Sequence, residues 1–276
     1  MSGPAAAPGR WHDLRTRLMS AGVMIGIGAF EVWLGGPAFA ALVILLIAGM
    51  VWELARITAP AQRDTALALG LIAGAAMALT IAGTREIALA FLLLPALAMA
   101  LTPRRDRRLA AGWAVAVMVA GYGLVTLRDS GGTVAVLWLI LVVVASDVMG
   151  YFVGRALGGP KFWPRLSPKK TWSGTVAGWV GAGAVGAVFV MLGHAPPWLI
   201  PLSALVALAG QIGDIAESWL KRRAGVKDSS RLIPGHGGLL DRFDALTGAA
   251  VAVMALGLAF DLPLPQPLLS AETTGP

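Results

Sequence analysis

Cysteine is absent from the 276 residues, which excludes disulfides and thiolate metal sites and leaves any bound metal to oxygen or imidazole ligands. Histidine is scarce, at three residues, and so is charge: Asp, Glu, Lys and Arg together make up 13% of the chain. Against that stand 57% hydrophobic residues and a mean hydropathy of +0.74, a balance too apolar for a soluble domain of this length. Internal repeats and low-complexity blocks are also missing. The first nine residues and the tail from Pro263 read as disordered. What is present is an all-α polytopic membrane protein.

Apolar runs near the ~20 residues that cross ~30 Å of hydrocarbon lie at 18–35, 38–55, 65–83, 87–102, 109–127, 133–153, 173–193, 197–217 and 245–262. They predict nine transmembrane helices. Closed-barrel strands are the other way to satisfy backbone polar groups in lipid, and the runs lack the polar alternation of a barrel. The fourth run, beside Glu86, and the eighth, ending in Asp214 and Glu217, carry the weakest apolar signal.

Basic residues concentrate in cytoplasmic loops. With the N-terminus inside, only Arg85 and Arg128 of the 22 Lys and Arg fall on the outer side. The pattern therefore predicts a cytoplasmic N-terminus, an outer C-terminus, and both long polar connections, 154–172 and 218–244, facing the cytoplasm of a bacterial-type inner membrane. The net charge of +7 is then a topology signal with a role toward anionic ligands, and it does not suggest nucleic acid. Arg15, Arg17, an apolar run and Ala38-Phe39-Ala40 imitate a signal peptide with its cleavage site, but the run from Leu18 to Leu34 is long for a signal core, so residues 1–40 are expected to be retained. The chain divides into residues 1–130, helices one to five, a scaffold or a homodimer interface, and residues 131–276, helices six to nine with the two polar loops.

Residues 217–244 read ESWLKRRAGVKDSSRLIPGHGGLLDRFD. Positive-inside bias explains its cations but not Asp228, Asp241 and Asp244. Asp214, Glu217, Ser218 and Lys221 are spaced to share one helical face, and Asp241 and Asp244 one turn. Singly, a solvated helix end or acids at a helix N-terminus explain these pairs. Pro234-Gly235-His236-Gly237-Gly238 adds a backbone able to turn its N–H groups toward an anion, although glycines also serve purely structural turns. Carboxylates suited to Mg2+, clustered cations and a glycine turn form the set that phosphoryl and nucleotidyl transfer use.

Residues 146–174 carry a second set. Asp147, Tyr151 and Gly154 lie on one face at the end of the sixth span. An acid at that depth is a functional candidate, with pairing to a neighbouring base as the other explanation. Ser167, Lys169, Lys170 and Thr171 precede the seventh span, where helix N–H groups favour phosphates; anionic lipid headgroups would draw the same lysines.

At these residues the chain resembles the phosphatidate cytidylyltransferase (CDP-diacylglycerol synthase) family. The family pattern is met by Ser218, Lys221, Arg222, Lys227, Asp228, His236, Gly237, Gly238, Asp241, Arg242 and Asp244, and upstream by Asp147, Tyr151, Gly154-Arg155, Ser167 to Trp172 and Gly213-Asp214. The resemblance is strong over about 147–250. The first five helices resemble the family only in hydropathy and general character, including Trp52-Glu53. Two departures are Ser230-Arg231 where relatives have Gly-Asn, and Ser173 where they have a larger polar residue; the first adds a cation beside the phosphate site.

The resemblance implies attack by a phosphatidate oxygen on the α-phosphorus of CTP, giving CDP-diacylglycerol and pyrophosphate. It implies Mg2+ held by Asp214, Asp241 and Asp244, in a two-metal arrangement whose second ion is open, with Asp147 and Asp228 less central. Lys221, Arg222, Lys227 and Arg242 would neutralise phosphates, and Lys169 and Lys170 either the triphosphate or the lipid phosphate. Ser218, Gly237 and Gly238 would line the substrates. His236 is open between a phosphate hydrogen bond, a turn role and acid–base catalysis. A membrane-embedded site suits an acceptor that cannot leave the bilayer. Two rival readings stay open: a CTP-dependent polyprenol or phytol kinase, and a transporter using Glu31 and Asp147.

Overall fold

The computed structural model describes residues 10–164, 167–260 and 265. Eight helices follow one another: α1 (Arg10–Leu34), α2 (Gly36–Thr58), α3 (Arg63–Ala82), α4 (Arg85–Leu101), α5 (Arg107–Leu157), α6 (Trp172–Met191), α7 (Leu199–Ala224) and α8 (Leu240–Phe260). Between α5 and α6 an antiparallel hairpin pairs β1 (Lys161–Trp163) with β2 (Ser167–Thr171) inside the polar connection 154–172, an element the all-α reading did not include. The tail from Pro263 and the first nine residues lie outside the described residues, Pro265 excepted.

Among the described residues six helices, α2, α3, α5, α6, α7 and α8, are long and apolar enough to cross a membrane. The difference from nine has three sources. The apolar parts of α1 and α4, Leu18–Leu34 and Ala90–Leu101, are shorter than the others, and the two segments expected at 109–127 and 133–153 are joined in α5. At ~1.5 Å per residue its 51 residues would run far beyond one bilayer if straight. The helix is instead interrupted at Gly132, whose φ of 64° and ψ of −162° lie outside the helical region.

α5 is the keel of the bundle and touches each of the seven other helices. Around it α6, α7 and α8 pack side by side, and α2 and α3 pair on another flank. Where α7 meets α8 the backbones approach at Gly213 and Gly248: a Cβ on Gly213 would lie 2.6 Å from the Asp244 carbonyl oxygen and 3.0 Å from Gly248 Cα. The absence of side chains there brings Asp214 and Asp244 together. α6 presses on α5 in the same way through Gly174, whose neighbours are Gly150 and Gly154.

Polar contacts tie the connections together at one end of the bundle. Arg223, near the end of α7, donates from Nε to Asp106 Oδ2 at 3.0 Å and from Nη2 to Oδ1 at 2.5 Å, a two-point clamp at the start of α5. These hydrogen bonds hold the Asp106 carboxyl below the usual carboxylate range. In α1, Ser20 donates its hydroxyl to the Pro234 carbonyl oxygen at 2.9 Å. The loops at 102–106 and 225–239 therefore share one end of the molecule.

Candidate active site

Two cavities flank the first turn of α8. The larger, about 710 Å3, is walled by Asp147, Tyr151, Gly154 and Arg155 of α5, by Lys161, Lys169, Lys170 and Thr171 of the hairpin, by Gln211 and Asp214 of α7, and by Asp241 and Asp244 of α8. The smaller, about 570 Å3, is walled by Lys227, Asp228, Ser230, Arg231, His236, Gly237 and Arg242. The larger carries four carboxylates and four cations, whereas the smaller carries three cations and one carboxylate. Adjacent residues of α8 thus serve different chambers, Asp241 the first and Arg242 the second.

In the larger cavity Asp214 is the central acid, with Asp147 and Asp244 both within coulombic reach of it. Lys170 lies with Nζ 2.5 Å from Asp214 Oδ2 and donates weakly to the Gln211 carbonyl oxygen at 3.5 Å. Ser218 donates to Asp214 Oδ1 at 3.4 Å, as their helical spacing predicts. Beneath them Gln211 joins three helices: its Nε2 donates to Ser146 Oγ of α5 at 3.1 Å, and its Oε1 accepts from Trp179 Nε1 of α6 at 3.0 Å. This buried network fixes the face of α7 that carries Asp214.

Asp241 sits in a tighter setting. Its Oδ2 accepts from the Ser229 amide, the Ser229 hydroxyl and the Gly238 amide, each at 2.8 Å, and its Oδ1 lies 2.5 Å from Lys221 Nζ. The same ammonium is 2.5 Å from Glu217 Oε2. Lys221, Glu217 and Asp241 are all buried, so Lys221 is committed to two carboxylates. Ser229 also reaches Glu53 Oε2 at 3.0 Å, its one hydroxyl proton serving two acids in alternation.

The remaining residues singled out in the sequence fall into place around this core. Thr171 caps α6 by accepting from the Gly174 amide at 3.2 Å and shares a hydrogen bond with Ser173 at 3.0 Å; Ser173 in turn donates to the Gly158 carbonyl oxygen. Tyr151 is exposed and accepts from Arg155 at 3.4 Å. Arg222 is exposed and donates to the Val226 carbonyl oxygen at 3.2 Å. Ser167, Ser218, Lys221, Arg222 and Gly238 stand off the walls of both cavities. His236 lines the smaller one, with a buried Nδ1 that has no hydrogen-bond partner.

The donors of the larger cavity are hard oxygens, the type that holds Mg2+. Among the described residues no three His, Asp or Glu side chains stand close enough to share one ion. Mg2+ is commonly held by one or two carboxylates completed by substrate phosphates and water, and a pair such as Asp214 and Asp244 fits that arrangement in chemistry. Asp241 is the least available of the four acids, because its oxygens already serve three donors and an ammonium.

Sequence reasoning passed over Gln211, Ser146, Ser229 and the role of Glu53. For Gln211 a signal existed, since it precedes Asp214 by three residues and Glu217 by six, a polar stripe on an apolar helix. Glu53 offered no local signal. Its partners are 176 to 187 residues away.

A helical membrane bundle whose polar cavities combine carboxylates with lysines and arginines at one helix start suits an enzyme that works on phosphates at a membrane face. The sequence pattern of the Cytidylyltransferase family matches residues 15–260, and the chain belongs to that family of nucleotidyltransferases. Relatives named phosphatidate cytidylyltransferase include that of Brucella abortus (strain 9-941), 36% identical over 91% of this chain and 96% of its own length. That of Helicobacter pylori (strain 26695) is 44% identical over 50% of this chain and 52% of its own length. The Bacillus subtilis (strain 168) protein is 39% identical over 42% of this chain and 45% of its own.

Proposed function

We propose that the chain transfers the cytidylyl group of CTP to phosphatidate, forming CDP-diacylglycerol and pyrophosphate at the membrane surface. The observation that carries this reading is the meeting of four carboxylates with Arg155, Lys161, Lys169 and Lys170 in one cavity at a helix start, beside a second cavity walled mainly by cations, which suits a reaction joining two polyanions. The names of relatives aligned along nearly the whole chain support the substrates.

A phosphatidate oxygen attacks the α-phosphorus, and the bond to the β-phosphate bridging oxygen breaks as pyrophosphate leaves. Both reactants are ionised at neutral pH, so the chain has little need of a general base. Its task is to hold and screen them. Lys169 and Lys170 stand over the carboxylate cavity and neutralise the phosphates that meet there. Lys227, Arg231 and Arg242 draw the departing pyrophosphate into the second chamber, whose wall also includes His236. Lys221 keeps Asp241, and with it the first turn of α8, in register. Asp214 and Asp244, with Asp147 beside them, would hold Mg2+, which supplies charge neutralisation of the phosphate oxygens when bound.

The charge distribution supports a topology of nine crossings, with the joined halves of α5 and the shorter α1 and α4 counted as spans. In that arrangement the N-terminus and the loops at 154–172 and 218–244 face the cytoplasm, the C-terminus lies outside, residues 1–130 form a scaffold and residues 131–276 carry the reaction. The test is to incubate the purified full chain with CTP labelled at the α-phosphate, phosphatidate and Mg2+, and to identify both products. Labelled CDP-diacylglycerol with pyrophosphate supports the reading. Release of labelled CDP with a newly phosphorylated lipid alcohol would indicate a kinase, and substrate-driven ion flux without nucleotide turnover a transporter.

A further inference from the structure

We infer that Glu53, on α2, is a positioning residue for the reaction: it anchors the segment that delivers Asp241 and Asp244 to the cavity. The inference rests on the reading of the previous subsection that these acids serve cytidylyl transfer. Glu53 lies in the penultimate turn of α2, outside the part of the chain that carries the family motif, and it is 0% exposed. A carboxylate so buried needs several donors or a cation. Among the described residues it has no ion-pair partner.

Its partners all come from the loop and the start of α8. Oε1 accepts from the Ser230 hydroxyl at 2.6 Å and the Leu239 amide at 3.0 Å; Oε2 accepts from the Leu240 amide at 2.7 Å and the Ser229 hydroxyl at 3.0 Å. Leu240 is the first residue of α8, so Glu53 satisfies helix amides that would otherwise lack partners and sets its negative charge at the positive end of the helix. Ser229 joins Glu53 to Asp241, whose own oxygen takes the Gly238 amide. Gly238 has no room for a Cβ, which would strike Ser229 Oγ and lie 2.5 Å from Glu53 Oε1. The loop is thus cast around this one carboxylate. Ser230, a departure from the family pattern, adds a donor to the same anchor rather than contacting the larger cavity.

A helix start held by Glu53 fixes the acids one and four residues further on, and a misplacement of ~1 Å at such groups can lower a rate ~10²-fold. Glu53 lines neither cavity, although the loop it anchors walls the smaller one through Ser230 and Arg231, so its loss should act chiefly on turnover with at most a small rise in the KM for CTP.

The experiment compares Glu53→Gln with the unsubstituted full chain in detergent or liposomes by hydrogen–deuterium exchange and by initial rates. The isosteric amide places an NH2 group against donors. Expected are faster exchange confined to 229–242, with α3 and α4 unchanged, and a kcat lowered about a hundredfold at a KM for CTP within about twofold. Unchanged exchange at 229–242, exchange raised evenly along the chain, or an unchanged kcat would overturn the inference. Should Glu53→Gln not fold, Glu53→Asp, which keeps the charge on a shorter arm, carries the same two readouts with the same outcomes. If the unsubstituted protein makes no CDP-diacylglycerol, the functional reading fails. The exchange pattern still decides the anchoring on its own.

Discussion

Lys221 and Asp241, twenty residues apart in sequence, meet at 2.5 Å inside the bundle, and the same ammonium closes on Glu217 at 2.5 Å. One cation therefore holds two buried acids, one on each of the helices that form the site. Lys221→Met removes it and leaves both carboxylates facing one another. Breaking a buried pair by deleting one partner costs about 3–5 kcal/mol. The expected outcome is a large drop in the thermal transition of the detergent-solubilised protein, with Lys221→Met/Glu217→Gln recovering part of it.

Asp214 is held by Lys170, and the same ammonium overlooks the cavity where phosphates would gather. Asp214→Asn is expected to abolish the Mg2+ dependence of cytidylyl transfer together with most of the rate. Lys170→Gln should retain Mg2+ dependence but lose kcat by about 10²–10³-fold, the scale for removing one preorganised group at developing charge. Initial rates across a Mg2+ titration separate the two.

Gly213 admits α8 against α7. Gly213→Ala puts a methyl 2.6 Å from the Asp244 carbonyl oxygen, so the helices must separate. Overpacking of this kind costs about 1–3 kcal/mol. Activity should fall further than stability, because the displaced residues include the two acids on either side of the contact. Gly112→Ala, at a helical position where an added Cβ meets nothing within 4 Å, is the control and should leave both unchanged.

Arg231 lines the basic chamber and is exposed. Arg231→Asn is expected to raise the KM for CTP about fivefold with little change in kcat. That corresponds to an exposed charge worth about 1 kcal/mol, and the difference should shrink as salt is added. Rates at two ionic strengths check it.

Helical class and membrane character are legible in the sequence because hydropathy and charge reflect one solvent, the bilayer, acting on every segment. The gathering of Asp147, Asp214, Asp241 and Asp244 at one cavity is legible in part, through helical spacing, whereas the close approach at Gly213 and Gly248 that brings α7 and α8 together is not. Segment length is less so. The spans expected at 109–127 and 133–153 correspond to the two arms of α5 on either side of the kink at Gly132, whereas the apolar parts of α1 and α4 are short, at Leu18–Leu34 and Ala90–Leu101. The β hairpin is hidden because its strands, Lys161–Trp163 and Ser167–Thr171, are too short for alternation to register. The commitments of Lys221 and Glu53 are hidden for another reason: local spacing says which residues share a face, not which distant carboxylate an ammonium or amide will find.

The distance along the chain between Glu53 and its donors has a consequence for biogenesis. A ribosome emits α2 long before α8 exists, so for most of synthesis this acid stands near the end of a nascent transmembrane segment with none of the partners that later enclose it. Insertion of α8 is then also the event that completes the active centre. A chain stalled or truncated before residue 240 would carry an unsatisfied polar group in its membrane portion, the kind of defect that membrane proteases and chaperones detect.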